Sequence, residues 1–169
     1  MARFADAALL SCALIGVSLA PHGSAMAQGA PQVRAPIRVT GIEAKLFYGN
    51  TGRFSSNLFE MKQLMLWNVV IGEGSGVEGP SENTLVIVRV GGPPKAYVEK
   101  LRLRIVAKTA KRVLAQRDVQ VGTFNSAGNW YTPLMLNDTG CEPIEIAATL
   151  GNVADAATVV ATLPFGCGE

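Results

Sequence analysis

The chain reads as an all-β protein, an antiparallel β-sandwich of about 7–8 strands. Three observations carry that reading. Short apolar runs with period-two alternation recur along the sequence, Gly, Pro, Asn and Asp cluster between them, and no stretch sustains the periodicity of a long helix. The runs follow one another at fairly regular spacing without an internal repeat. This fits two packed antiparallel sheets rather than strands alternating with helices.

Residues 1–27 read as a cleaved signal peptide. Arg3 lies near the front, Ala13–Ala20 is an apolar run, and Ala25-Met26-Ala27 supplies the small-x-small pattern of a cleavage site. Asp6 is unusual in such a front region. The run is shorter than the roughly 20 residues a spanning helix needs, so the mature chain is expected to be periplasmic or secreted, with no transmembrane segment. An alternative is a lipoprotein, because Leu9-Leu10-Ser11-Cys12 resembles a lipobox; most of the apolar run, however, follows Cys12 instead of preceding it.

Cleavage there changes the chemistry that is left. It removes His22, the only histidine, and Cys12, so that once Cys141 and Cys167 pair no free thiol remains. That argues against Ser-His-Asp and Cys-His catalysis, histidine acid-base chemistry and ordinary zinc or copper sites. Asp118, Asp138 and Asp155 are too scattered for a calcium loop. No catalytic residue, metal site or cofactor is expected. The loss of Arg3 and Asp6 together leaves the formal net charge at +2, too small an excess to mark a nucleic-acid binder.

Residues 28–36, with Pro31 and Pro36, form a flexible leader, and 37–169 a single domain. Ile37–Tyr48 is the first strand; its alternation slips at Gly41, which predicts a bulge. Asn57 and Glu60 have the spacing of a helix cap, while Leu64–Ile71 ends in aromatic and β-branched residues, so 57–66 stays open between helix and strand. A strand is expected from about Gln63, with Trp67 as a core anchor. Gly74, Gly76 and Gly79 match the spacing of a dinucleotide-binding loop, but Pro80 and the strand Thr84–Val90 leave no helix to receive phosphate, and an acidic loop is the better reading.

Thr84–Val90 is apolar on nearly both faces and belongs in the middle of a sheet. In Tyr97–Thr109, Leu101, Leu103, Ile105 and Ala107 face one way and Lys100, Arg102, Arg104 and Lys108 the other. Val113–Val121 follows, with Val113, Ala115, Val119 and Val121 on one face. Trp130–Leu136 contains Pro133, which calls for an edge position or a local break. Asn137-Asp138-Thr139 fits a glycosylation sequon, too short a pattern to guide function.

The last two strands, Ile144–Leu150 and Thr158–Leu163, form a hairpin about Gly151–Asp155. Pairing Ile144 with Leu163, Ile146 with Ala161 and Ala148 with Val159 keeps apolar residues on one face. Cys141 then falls opposite Gly166, one place short of Cys167, and a bulge at Gly166 or Gly140 lets the two cysteines form a disulfide. Closing that loop stabilises by roughly 3.5 kcal/mol in the chain-entropy model. The pattern resembles immunoglobulin-like or C2-like sandwiches in general architecture alone.

Two sets of residues are candidates for function. Lys100, Arg102, Arg104 and Lys108 would form a cationic row within a basic stretch that runs to Arg117, suited to an anionic ligand; the competing reading is a solvated outer face. Arg53, Phe54, Trp130 and Tyr131 would form an aromatic recognition surface on loops, or else cap the core. A carboxylate pair such as Glu142 and Glu145 could be weighed for hydrolysis, but their spacing places them on opposite faces of an extended strand. The expected function is a non-catalytic binding or interaction module for an anionic ligand or an envelope protein. A structural component of a cell-envelope assembly is the alternative, and a carboxylate-dependent hydrolase is less favoured.

Overall fold

Residues that alternate apolar and polar along an extended chain must bury one face, and this sequence does so in two sheets that share one core. The computed structural model describes residues 36–61, 81, 83–139, 142–152 and 157–166, all within one compact unit, Val33–Glu169. Eight strands lie among them: β1 Arg38–Tyr48, β2 Arg53–Phe54, β3 Asn83–Gly91, β4 Arg102–Lys108, β5 Val113–Gln120, β6 Asn129–Leu136, β7 Ile144–Gly151 and β8 Thr158–Leu163. The first sheet has the order β2-β1-β3-β6 and the second β5-β4-β7-β8. Every pairing is antiparallel.

The inner faces meet in a continuous core. Ala44, Leu46 and Tyr48 from β1, Val86, Val88 and Val90 from β3, and Leu134 and Leu136 from β6 pack with Leu103 and Ile105 from β4, Ile144, Ile146 and Ala148 from β7, and Leu163 from β8. Burial of this apolar surface is the main force holding the sheets together. As expected, β3 lies inside its sheet and the Pro133 strand, β6, at an edge. The hairpin β7–β8 has the register derived from its apolar pattern, Ile144 with Leu163 and Ile146 with Ala161.

The slip in β1 is a bulge between Val39 and Gly41. It lets Val39 and Ala44 both point inward despite opposite parity. A Cβ at Gly41 would lie 3.2 Å from Arg89 Nη2, so a larger residue would push aside by a few tenths of an ångström a guanidinium that donates to the Thr40 carbonyl at 3.3 Å. Asn57 caps one 3-10 turn, Leu58–Glu60. Its Oδ1 accepts from the Ala44 N–H at 3.1 Å and its Nδ2 donates to Glu60 at 3.0 Å, so the turn is tied to β1.

Two expectations are corrected. Tyr97–Leu101 is not strand: β4 begins at Arg102, and Lys100 stands in a turn with φ of 61°, held by Asn152, whose Nδ2 donates to the Lys100 carbonyl at 2.8 Å. Lys100 therefore does not extend the cationic row. Val113 does not face the core with Ala115, because Ala107 pairs with Ala115 but Lys108 with Val113. The extra residue, Leu114, turns inward instead and leaves Val113 56% exposed.

The signal peptide 1–27 with Cys12, most of the leader 28–36, the strand expected from Gln63 with Trp67, the glycine-rich loop 72–80, and both Cys141 and Cys167 lie outside the described residues.

Candidate interaction surface

The basic strand residues sit on the outer face of the second sheet. Arg102, Arg104 and Lys108 are exposed and alternate with buried Leu103, Ile105 and Ala107. Their neighbours moderate the charge. Arg102 Nε meets Asp118 Oδ1 at 2.7 Å, Lys108 meets Glu145 at 3.0 Å, and Lys111 in the following turn meets Glu142 at 2.5 Å. Among the described residues Arg104 has no such ion pair, although Asp118 lies opposite it in the ladder. Arg104 lines a shallow depression of about 190 Å³ with Gln116, Arg117 and Asp118. The face is thus a mosaic of paired charges with one uncommitted guanidinium near its middle.

The aromatic set does not converge. Phe54 pairs with Phe47 on the outer face of the first sheet, ring centroids 5.2 Å apart, and is 45% exposed. Tyr131, 47% exposed, lies on the same face but opposite Arg89, near the far end of β3. From the strand rise and spacing the two stand more than about 20 Å apart. Trp130 points the other way and packs against the core. There it closes on Gly122, where a Cβ would lie 2.9 Å from the indole Nε1. Arg53 pairs with Tyr48 at the edge strand β2. All four residues lie on strands, not loops.

A concavity absent from the sequence reading lies at one end of the sandwich. The β4–β5 turn and the β6–β7 connection enclose about 310 Å³ between Thr109, Lys111, Arg112, Leu114, Asp138 and Glu142. Thr109 Oγ1 accepts from the N–H groups of Lys111 and Arg112, at 3.2 and 3.3 Å, and so shapes the turn that carries both cations. The hydrogen bond from Lys111, then that from Thr109, holds the Glu142 carboxyl below its ordinary value of 4.5. That is the wrong direction for a general acid at neutral pH. Glu145 is engaged separately by Lys108. The two carboxylates therefore serve different ion pairs and do not form an acid-base couple.

Among the described residues no three His, Cys, Asp or Glu side chains converge as a metal-ligating group, and no helix is long and apolar enough to cross a membrane. No protein-family model matches the sequence, and no curated protein is detectably similar to it.

Proposed function

We propose that the chain is a secreted or periplasmic recognition module without catalytic activity, which binds an anionic ligand or an acidic face of an envelope protein through the outer face of the second sheet. The observation that carries this reading is Arg104: a guanidinium exposed in the middle of a rigid strand, beside a shallow depression, with no carboxylate committed to it among the described residues. Guanidinium groups engage carboxylate and phosphate in two-point hydrogen bonds, and a strand-borne donor loses little entropy in doing so. The finer features of the fold belong to the same reading. The immunoglobulin-like or C2-like general form suits a rigid display scaffold, and a Cys141–Cys167 disulfide suits an oxidising compartment.

The test is affinity capture from an envelope extract, with the native protein beside Arg104→Glu and across a salt series. Arg104 is the better position to reverse, because a change at Arg102 would break its ion pair with Asp118; as Asp118 also lies opposite Arg104 in the ladder, an unchanged circular dichroism spectrum of Arg104→Glu is required alongside. A partner retained by the native protein, released steeply by salt and lost with Arg104→Glu is the expected result. Equal retention by both, insensitive to salt, would remove this face from consideration.

A further inference from the structure

Among the described residues four strand edges border the two sheets, and three of them carry a device that discourages pairing with another chain. β2 is only two residues long and covers just Phe47 and Tyr48 of β1; the rest of β1 carries Arg38, Glu43 and Lys45 and the bulge at Gly41, and its Ala44 and Leu46 N–H groups are taken by Asn57 Oδ1 and Ser55 Oγ. β6 contains Pro133, whose carbonyl is already occupied by Arg117 Nη1 at 2.7 Å. β5 carries Arg117 and Asp118 and a bulge at Leu114. Short edges, prolines, bulges and inward-pointing charges are the means by which sheets avoid edge-to-edge association. The fourth edge, β8, has none of them. Thr158-Val159-Val160-Ala161-Thr162-Leu163 holds no charge, proline or glycine. Among the described residues β7 pairs on one side of β8 and no strand on the other.

The outer face points to the same edge. Val106, Ala147 and Val160 stand in register across β4, β7 and β8, forming an apolar row through an outer face whose other residues, Val113 apart, are mostly polar. The row ends at the open edge on Val160, which is 54% exposed. A strand arriving there must be uncharged and must present an apolar residue opposite Val160. Of the described edge strands β6 and β8 are both uncharged, but Pro133 interrupts the ladder that β6 could offer, which leaves β8 itself as the strand that meets both demands.

We propose that two copies of this chain join antiparallel through β8, about a two-fold axis normal to the sheet at Val160, so that the second sheets of both copies become one continuous sheet. An axis in that direction keeps inner faces with inner faces. It sets Val160 opposite the partner's Val160, Val159 opposite the partner's Ala161, and Thr158 opposite the partner's Thr162. Apolar residues then meet on the inner side, threonines meet on the outer side, and the apolar row runs on into its own image. No charge is brought opposite a like charge, because the nearest charged side chain on that face, Glu145, stands one strand further in and is paired with Lys108.

The experiment is sedimentation velocity of the purified protein from about 1 to 100 µM, a range that brackets modest strand-edge affinities, alongside three variants. The native protein is expected at twice the chain mass at the upper concentration. Val160→Lys is expected at the single-chain mass with an unchanged circular dichroism spectrum and urea midpoint. Val160→Cys is expected to cross-link to its own copy on mild oxidation, with the linkage mapped to that position. Thr158→Cys should not cross-link, because the two-fold leaves it roughly 13 Å from its own image. A native protein that stays monomeric at the highest concentration, a folded Val160→Lys that stays dimeric, or cross-linking as ready at position 158 as at 160 would each overturn the proposal.

Discussion

Arg117 Nη1 donates to the carbonyl oxygen of Pro133 at 2.7 Å, and through that one bond the edge strand of the second sheet closes on the edge strand of the first. Arg117 lies opposite Ile105 in the ladder, on the parity that faces the core. Its charge leaves the apolar interior by running sideways to β6, where Pro133 has no N–H to offer and an acceptor that can be covered. Arg117→Ala should lower stability by about 1 kcal/mol, since a charged donor is lost but the site is exposed. Urea denaturation would show it as a lower midpoint at unchanged slope. Arg117→Met, which keeps most of the stem, should recover only the packing part.

Gly92 and Phe124 are locked together more tightly. A Cβ at Gly92 would lie 2.6 to 2.9 Å from three carbons of the Phe124 ring, and Phe124 is buried while its N–H donates to the Ala96 carbonyl at 2.9 Å. Neither side can yield freely. Gly92→Ala should cost about 1–3 kcal/mol by overpacking. Because Phe124→Leu removes the ring atoms in the way, the double variant should be more stable than the sum of the two single losses by about 1 kcal/mol. Strict additivity in thermal or urea unfolding would refute the contact.

The β7–β8 register leads to a prediction about two residues beyond the described strands. Extrapolating the ladder from Ile144 opposite Leu163 would set position 141 opposite Gly166, one place short of Cys167, and a glycine there tolerates the backbone angles of the bulge that would absorb the difference. Cys141 and Cys167 are therefore expected to be joined in the purified protein. Intact mass with and without reduction, after alkylation, should reveal one disulfide. Reduction should lower stability by roughly 3 kcal/mol, somewhat less if the bond is strained.

Much of this fold was legible because one rule, alternation along a strand, dominates the sequence. The bulge at Gly41 showed as a slip in parity, the central place of β3 as apolar residues on both faces, and the edge place of β6 as Pro133. What escaped was governed by partners distant in the chain. Nothing local to Val113 shows that Leu114 is the extra residue opposite β4. Nothing near Lys100 shows that Asn152 will hold it in a left-handed turn. The cationic row was legible as a row, but its neutralisation by Asp118, Glu145 and Glu142 depends on which strands become neighbours. Similarly, Trp130 and Tyr131 are adjacent in sequence and therefore on opposite faces, which is why they could not act together.

Glu142 provides a test of that neutralisation through pH. Its carboxyl is held below the ordinary glutamate value of 4.5, chiefly by the hydrogen bond from Lys111 and next by that from Thr109. A depressed folded-state pKa means that the unfolded chain takes up its proton first as the pH falls. The contribution to stability is thus complete above 4.5 and is lost as the pH drops through the folded value. Glu142→Gln should accordingly be less stable than the native protein near neutral pH, and the gap should narrow in acid below that window. The ion pair is exposed, so the effect is small. Added salt should shrink the gap near neutral pH, since screening weakens the Lys111 attraction. Urea midpoints of both proteins at about pH 7 and about pH 3 decide the matter, and a gap that stayed constant or widened in acid would show that Glu142 acts through something other than its charge.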